Sequence, residues 1–165
     1  PQGEVPHFVC TRRHAPVYRN HIIVDALAAL RDRGFGFTAT FVGGGFLLEE
    51  RRAHIAALGL ADQVTCTGFV PHAAIVDNVA RADVYISASR SDGTSSSLME
   101  ALASGPLPVI SDIEANRPWI TEGETGLLFP VDDVVALTDA LERAVTGRAR
   151  EIGRPRWSGL TKART

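Results

Sequence analysis

Two carboxylates, Asp92 and Glu100, bracket the run Gly93-Thr94-Ser95-Ser96-Ser97-Leu98-Met99. Upstream, the run from Ala82 to Ile86 is apolar apart from Asp83, and downstream Leu98, Ala101 and Leu102 fall on one helical face, so the acids lie on a strand-loop-helix unit. The start of that helix presents N–H groups without an intrahelical acceptor and a partial positive charge, a seat for a phosphate. Carboxylates at both flanks accept hydrogen bonds from hydroxyls. Donors in the centre and acceptors at either side suit a nucleotide-sugar better than a bare phosphate. Ser97 and Glu100 also have capping-box spacing. The same residues can be read as an ordinary cap, contributing about 1 kcal/mol, on an ordinary polar loop.

Cations that could balance a diphosphate are almost all arginine, since Lys162 is the single lysine. Arg12 and Arg13 follow the first apolar run and Arg19 stands at the start of the next helix; a guanidinium placed there can clamp a diphosphate bidentately. Gly43-Gly44-Gly45 follows the second apolar run. It reads equally as a tight turn for helix packing or as backbone approach to a ligand through Gly44 and Gly45. It lacks the Gly-x-Gly-x-x-Gly form and does not follow the first strand, which disfavours nicotinamide dinucleotides. Gly68-Phe69-Val70-Pro71 ends the third run. His7, His14, His21, His54 and His72 share no ligand spacing, so no metal site is expected.

The elements that must position these residues alternate. Strands are expected at residues 7–11, 37–42, 64–67, 84–86, 108–110 and 125–129, and helices at 18–33, 47–58, 72–80, from Ser97 onward, and 134–145. Strand and helix alternating through short connections predict an α/β fold, a doubly wound (Rossmann-like) parallel sheet of about six strands with helices on both faces. Ligands of such sheets bind beyond the carboxyl ends of the strands. The 165 residues, 45% hydrophobic and 22% charged, suffice for one domain, residues 1–165 with a core at about 7–146. A net charge of −2 offers no field for nucleic acid. No run is long enough to span a bilayer and no signal peptide is evident, so a cytoplasmic location is expected. Cys10 and Cys66 read as buried thiols. Residues 116–119, Asn-Arg-Pro-Trp, read as a packing turn anchored by Trp119, and residues 147–165 as a docking helix or a frayed end.

The run from Asp92 to Gly105, followed by Pro108-Val109-Ile110-Ser111-Asp112, resembles the signature of the GT-B retaining glycosyltransferases (group 1, family 4). There, two acids separated by seven residues precede a small-residue helix ending in Gly and a short buried strand. This chain has Asp92 where Glu is commoner. The resemblance covers about residues 8–145 and implies the C-terminal, donor-binding half of a GT-B enzyme, with a nucleotide-diphosphate sugar as donor substrate and no cofactor. It implies catalytic roles for Asp92, Glu100 and Arg13 and base contacts from Phe69 and Val70; from the residues themselves, donor contacts are expected of Arg12, Arg19, Gly44, Gly45, Gly93, Thr94, Ser95, Ser96 and Ser97. Phe69 and Val70 would lie against the base, Glu100 would accept from the ribose hydroxyls, and Asp92 would hold the donor sugar. Arg13 matches an arginine of the family pattern, while Tyr18 stands where that pattern has a lysine. No Asp-x-Asp is present, which favours metal-free stabilisation of the leaving group. The acceptor-binding N-terminal domain is expected on the same or another chain, and residues 1–6 read as an interdomain linker. Two alternatives are a non-catalytic nucleotide-sugar binding module or subunit of a split enzyme, and a GT-B-type epimerase.

Overall fold

The computed structural model describes residues 5–146. Six strands and five α-helices alternate except between β5 and β6, which a short 3-10 helix, Arg117–Trp119, connects: β1 His7–Cys10, α1 Asn20–Asp32, β2 Thr38–Phe41, α2 Leu48–Ala57, β3 Val64–Cys66, α3 His72–Arg81, β4 Val84–Ser87, α4 Ser96–Ser104, β5 Leu107–Ser111, β6 Leu127–Phe129 and α5 Val134–Val145. All strand pairs are parallel, in the order β3-β2-β1-β4-β5-β6. The expected doubly wound sheet is therefore present. Its order reverses between β1 and β4, which places a crevice at the carboxyl ends of those two strands.

Side chains of successive strand residues point to opposite faces, and the core divides accordingly. Phe8, Val84, Ile86 and Val109 pack with Ile23, Leu27 and Leu30 of α1, Ile55 of α2 and Leu137 and Leu141 of α5. Val9, Tyr85 and Ile110 pack on the other side with Val79 of α3 and Leu98, Ala101 and Leu102 of α4. Burying both faces is what makes the strands continuous apolar runs.

The expected helix over residues 18–33 is broken. A short 3-10 helix, Pro16–Tyr18, is followed by Arg19 with φ 51°, and α1 begins only at Asn20. Proline fixes φ for the first turn, and a left-handed residue cannot continue it. Trp119 is not the anchor of its turn. It is half exposed, while Ile120 and Asn116 are buried and the Asn116 Nδ2 donates to the Ser111 carbonyl at 2.9 Å. Cys10 is a buried free thiol and Cys66 is partly buried. The readings for residues 1–4 and 147–165 lie outside the described residues.

Candidate functional site

The loops that leave β1 and β4 form the walls of the crevice, and one side chain joins them. Arg12, on the first loop, donates from Nη1 to Ser95 Oγ at 2.7 Å and from Nη2 to Asp92 Oδ2 at 2.6 Å. It is 8% exposed, and its guanidinium carbon lies 4.4 Å from the Tyr18 ring centroid. Tyr18 thus gives Arg12 a cation-π platform. The first loop is held from beneath by Asn20, whose Nδ2 donates to the carbonyls of Arg12 at 3.2 Å and Arg13 at 3.3 Å. From the second loop, Arg90 N donates to the Val17 carbonyl at 2.9 Å.

Helix α4 does not start with a Ser97-Glu100 capping box. Its N-cap is Ser95, whose Oγ accepts from Leu98 N at 3.1 Å, and Met99 N donates to the Ser95 carbonyl. Ser95 has extended backbone angles, as a cap requires, and it is followed by helical residues. Two N–H groups of the first turn are therefore already engaged, which leaves those of Ser96 and Ser97 at the tip without an intrahelical acceptor. Freed from capping, Glu100 reaches sideways. Its Oε1 lies 3.3 Å from His72 Nε2 at the start of α3, beside the Gly68–Pro71 loop, and the side chain is 29% exposed. Asp92 and Glu100 thus stand on either side of the α4 tip. The cap is Ser95 and not the expected Ser97.

The remaining predicted residues divide. Gly93 and Thr94 lie exposed in the loop entering α4. Arg13 is exposed on the first loop, and among the described residues no carboxylate pairs with it. Arg19 is occupied, its Nε donating to Asp132 Oδ1 at 2.7 Å, with Arg90 Nε 3.8 Å from the other oxygen. Arg19 and Asp132, with φ of 51° and 63°, are the two non-glycine residues of positive φ among those described. Phe69 is 88% exposed rather than core, and Val70 is half-buried. Gly44 and Gly45 meet the first loop directly. His14 N donates to the Gly44 carbonyl at 3.0 Å, Leu47 N donates to the His14 carbonyl at 3.0 Å, and a Cβ on Gly45 would stand 2.5 Å from the His14 oxygen. Gly43 bridges Gly68, tying the loops after β2 and β3 together.

Three further residues were not singled out by sequence reasoning. Asn20 and Asp132 fix the loops, and the exposed Phe46 stands on the loop after β2. A polar residue opening an apolar helix, and paired acids before α5, were the signals available. His14 is buried beneath the crevice, its Nδ1 3.3 Å from Asn20 Nδ2. Burial, with Arg51 and Arg52 nearby, pushes its pKa down to about 4, so the ring is neutral near pH 7.

The family description "Glycosyl transferases group 1" matches residues 2–156. The chain is 32% identical over 158 residues, 91% of its length and 41% of the relative's, to a GDP-mannose-dependent alpha-(1-6)-phosphatidylinositol monomannoside mannosyltransferase of Mycobacterium tuberculosis. It is 34% identical over 128 residues, 76% of its length and 30% of the relative's, to a 2-deoxystreptamine N-acetyl-D-glucosaminyltransferase of Streptomyces fradiae. The chain therefore spans about two fifths or less of these relatives. HepE of Anabaena in complex with UDP shares its fold, with a TM-score of 0.74 at 21% identity, covering 94% of this chain and 46% of that one. Among the described residues no helix is long and apolar enough to cross a membrane.

Proposed function

Because the chain belongs to the group 1 glycosyl transferases, we propose that it is the donor-binding half of a retaining glycosyltransferase that takes a nucleotide-diphosphate sugar. The observation that supports this reading is that Asp92, bound by Arg12 from the loop after β1, and Glu100, 3.3 Å from His72 at the start of α3, flank the start of α4, which follows β4 at the switch point of the sheet. The diphosphate lies on the Ser96 and Ser97 N–H groups, with the exposed Arg13 balancing its charge. Glu100, beside the loop after β3, accepts from ribose hydroxyls, while Phe69 and Val70 border the base. Asp92 offers Oδ1 to sugar hydroxyls, its Oδ2 being held by Arg12. As the glycosidic bond breaks, negative charge grows on the distal phosphate. Donors already aimed at that position stabilise the transition state more than the ground state, without a metal ion. The acceptor is positioned by a further domain, on the same or another chain, that closes over the crevice.

The donor is tested with a thermal-shift panel of GDP-mannose, UDP-sugars and ADP-sugars. GDP-mannose is chosen because one relative is named for it, and UDP-sugars because HepE binds UDP. A true donor stabilises by about 2.7 kcal/mol at a hundredfold excess over Kd. Glu100→Ala should abolish most of that shift. A variant that melts early yet binds normally would sink the assignment of Glu100, and no response to any sugar nucleotide would sink the donor site.

A further inference from the structure

Arginine in a diphosphate site has to present its N–H groups to open solvent, where the anion arrives. Arg12 does the opposite. It is buried, two of its nitrogens are bound to Asp92 Oδ2 and Ser95 Oγ at 2.6 and 2.7 Å, and its flat face rests on Tyr18. Asp92, in turn, is only 16% exposed. Turning Arg12 toward an anion would strand this carboxylate with little water to replace the lost partner. The bonds also run between elements: Arg12 follows β1, and Asp92 and Ser95 lie some eighty residues later, after β4. Ser95 Oγ is meanwhile the cap of Leu98 N. One guanidinium thus connects both walls of the crevice, an acid, and the helix tip.

We infer that Arg12 is a positioning residue: it fixes the Asp92 carboxylate and the Ser95 cap relative to each other, and so sets the sugar-facing wall instead of holding the diphosphate. The inference rests on the donor-site reading of Asp92 above. Its physical content has two parts. A planar fork with two parallel donors holds two acceptors at a set angle, which a lysine ammonium cannot do. The Arg12–Asp92 pair is also neutral as a unit, so a diphosphate can settle on the α4 tip without meeting an uncompensated carboxylate.

The test uses the intact protein as wild type, Arg12→Gln, Arg12→Lys, Asp92→Asn and the Arg12→Gln/Asp92→Asn double variant. Calorimetry gives affinities for GDP, GDP-mannose, UDP and UDP-glucose, and hydrogen exchange reports the Leu98 amide. In Arg12→Gln, nucleotide-sugar affinity should fall about ten- to a hundredfold; in the double variant, where no bare carboxylate faces the α4 tip, nucleoside diphosphate affinity should hold within about twofold of wild type. Arg12→Lys should recover part of the loss, and the double variant should bind no worse than Asp92→Asn. The Leu98 amide should exchange faster in Arg12→Gln, with or without ligand. Equal losses for diphosphate and nucleotide-sugar in the double variant would make Arg12 a phosphate ligand and overturn the inference. Unchanged sugar binding in a variant that merely melts early would reduce it to scaffolding. If the wild type binds none of the four probes, the donor-site reading fails on its own. Unaltered Leu98 exchange in Arg12→Gln would overturn the positioning role independently.

Discussion

Glycines that look alike in the sequence carry different physical constraints here. Gly45 has φ +139°, and a Cβ would meet the backbone of His14 at 2.5 to 2.9 Å, where nothing flexible can give way. Gly45→Ala is expected to destabilise the protein by about 1–3 kcal/mol or more, measured by denaturant unfolding. Gly93, inside the serine loop, has open space around the same added atom. Gly93→Ala should therefore leave stability unchanged within about 0.5 kcal/mol, so any loss of donor affinity in that variant reports close approach of the ligand itself. His14 gives a second expectation at this scale. Its folded pKa of about 4 lies below the ordinary 6.5, so the unfolded chain binds the proton more readily. The neutral ring's contribution is complete above about pH 6.5 and is lost as pH falls through about 4, amounting to roughly 3 kcal/mol. Unfolding curves at pH 7, 5.5 and 4 should show this loss, and His14→Gln should flatten it. His21 and His7, both also lowered, add in the same direction.

Two helices test what a cap does beside and away from the crevice. Ser95 caps α4 and Asp133 caps α5, accepting from Ala136 N at 2.9 Å. Ser95→Ala and Asp133→Ala should each cost about 1 kcal/mol of stability. Only Ser95→Ala also removes an acceptor from Arg12, so it alone should lower nucleotide-sugar affinity; equal binding by both variants would show that the α4 cap is purely structural. The sequence made α4 visible because everything that defines it is local: serines, then Leu98, Ala101 and Leu102, then Gly105 as a left-handed stop at φ 103°. It misplaced the cap by two residues, since any of three consecutive serines satisfies the local chemistry. The one that does, Ser95, is also the one bound by Arg12, which arrives from another part of the chain. The break before α1 was hidden for a related reason. A left-handed turn is signalled by glycine, and here Arg19 adopts it, held by a side-chain bond to Asp132, also left-handed, 113 residues away.

At the scale of the molecule, alternation of apolar runs and helical faces was enough to read the doubly wound sheet. The acids flanking the serine loop were legible because one stretch contains both. Contacts that close over long separations were not: nothing near Arg12 announces Asp92, and nothing near Phe69 shows whether an aromatic enters the core or remains on the rim. The topology carries one more implication. With β1 beside β4, residues from the first strands make one wall of the crevice and residues from the later strands make the other. The Arg19–Asp132 pair stitches the first loop to a segment beyond β6. During synthesis the leading strands can pair as soon as they emerge. The recess between them stays one-sided until α4 and finally residue 132 have left the ribosome. A truncated nascent chain would then hold ordered β-structure yet have no affinity for sugar nucleotides, with binding competence acquired only as the closing residues are added.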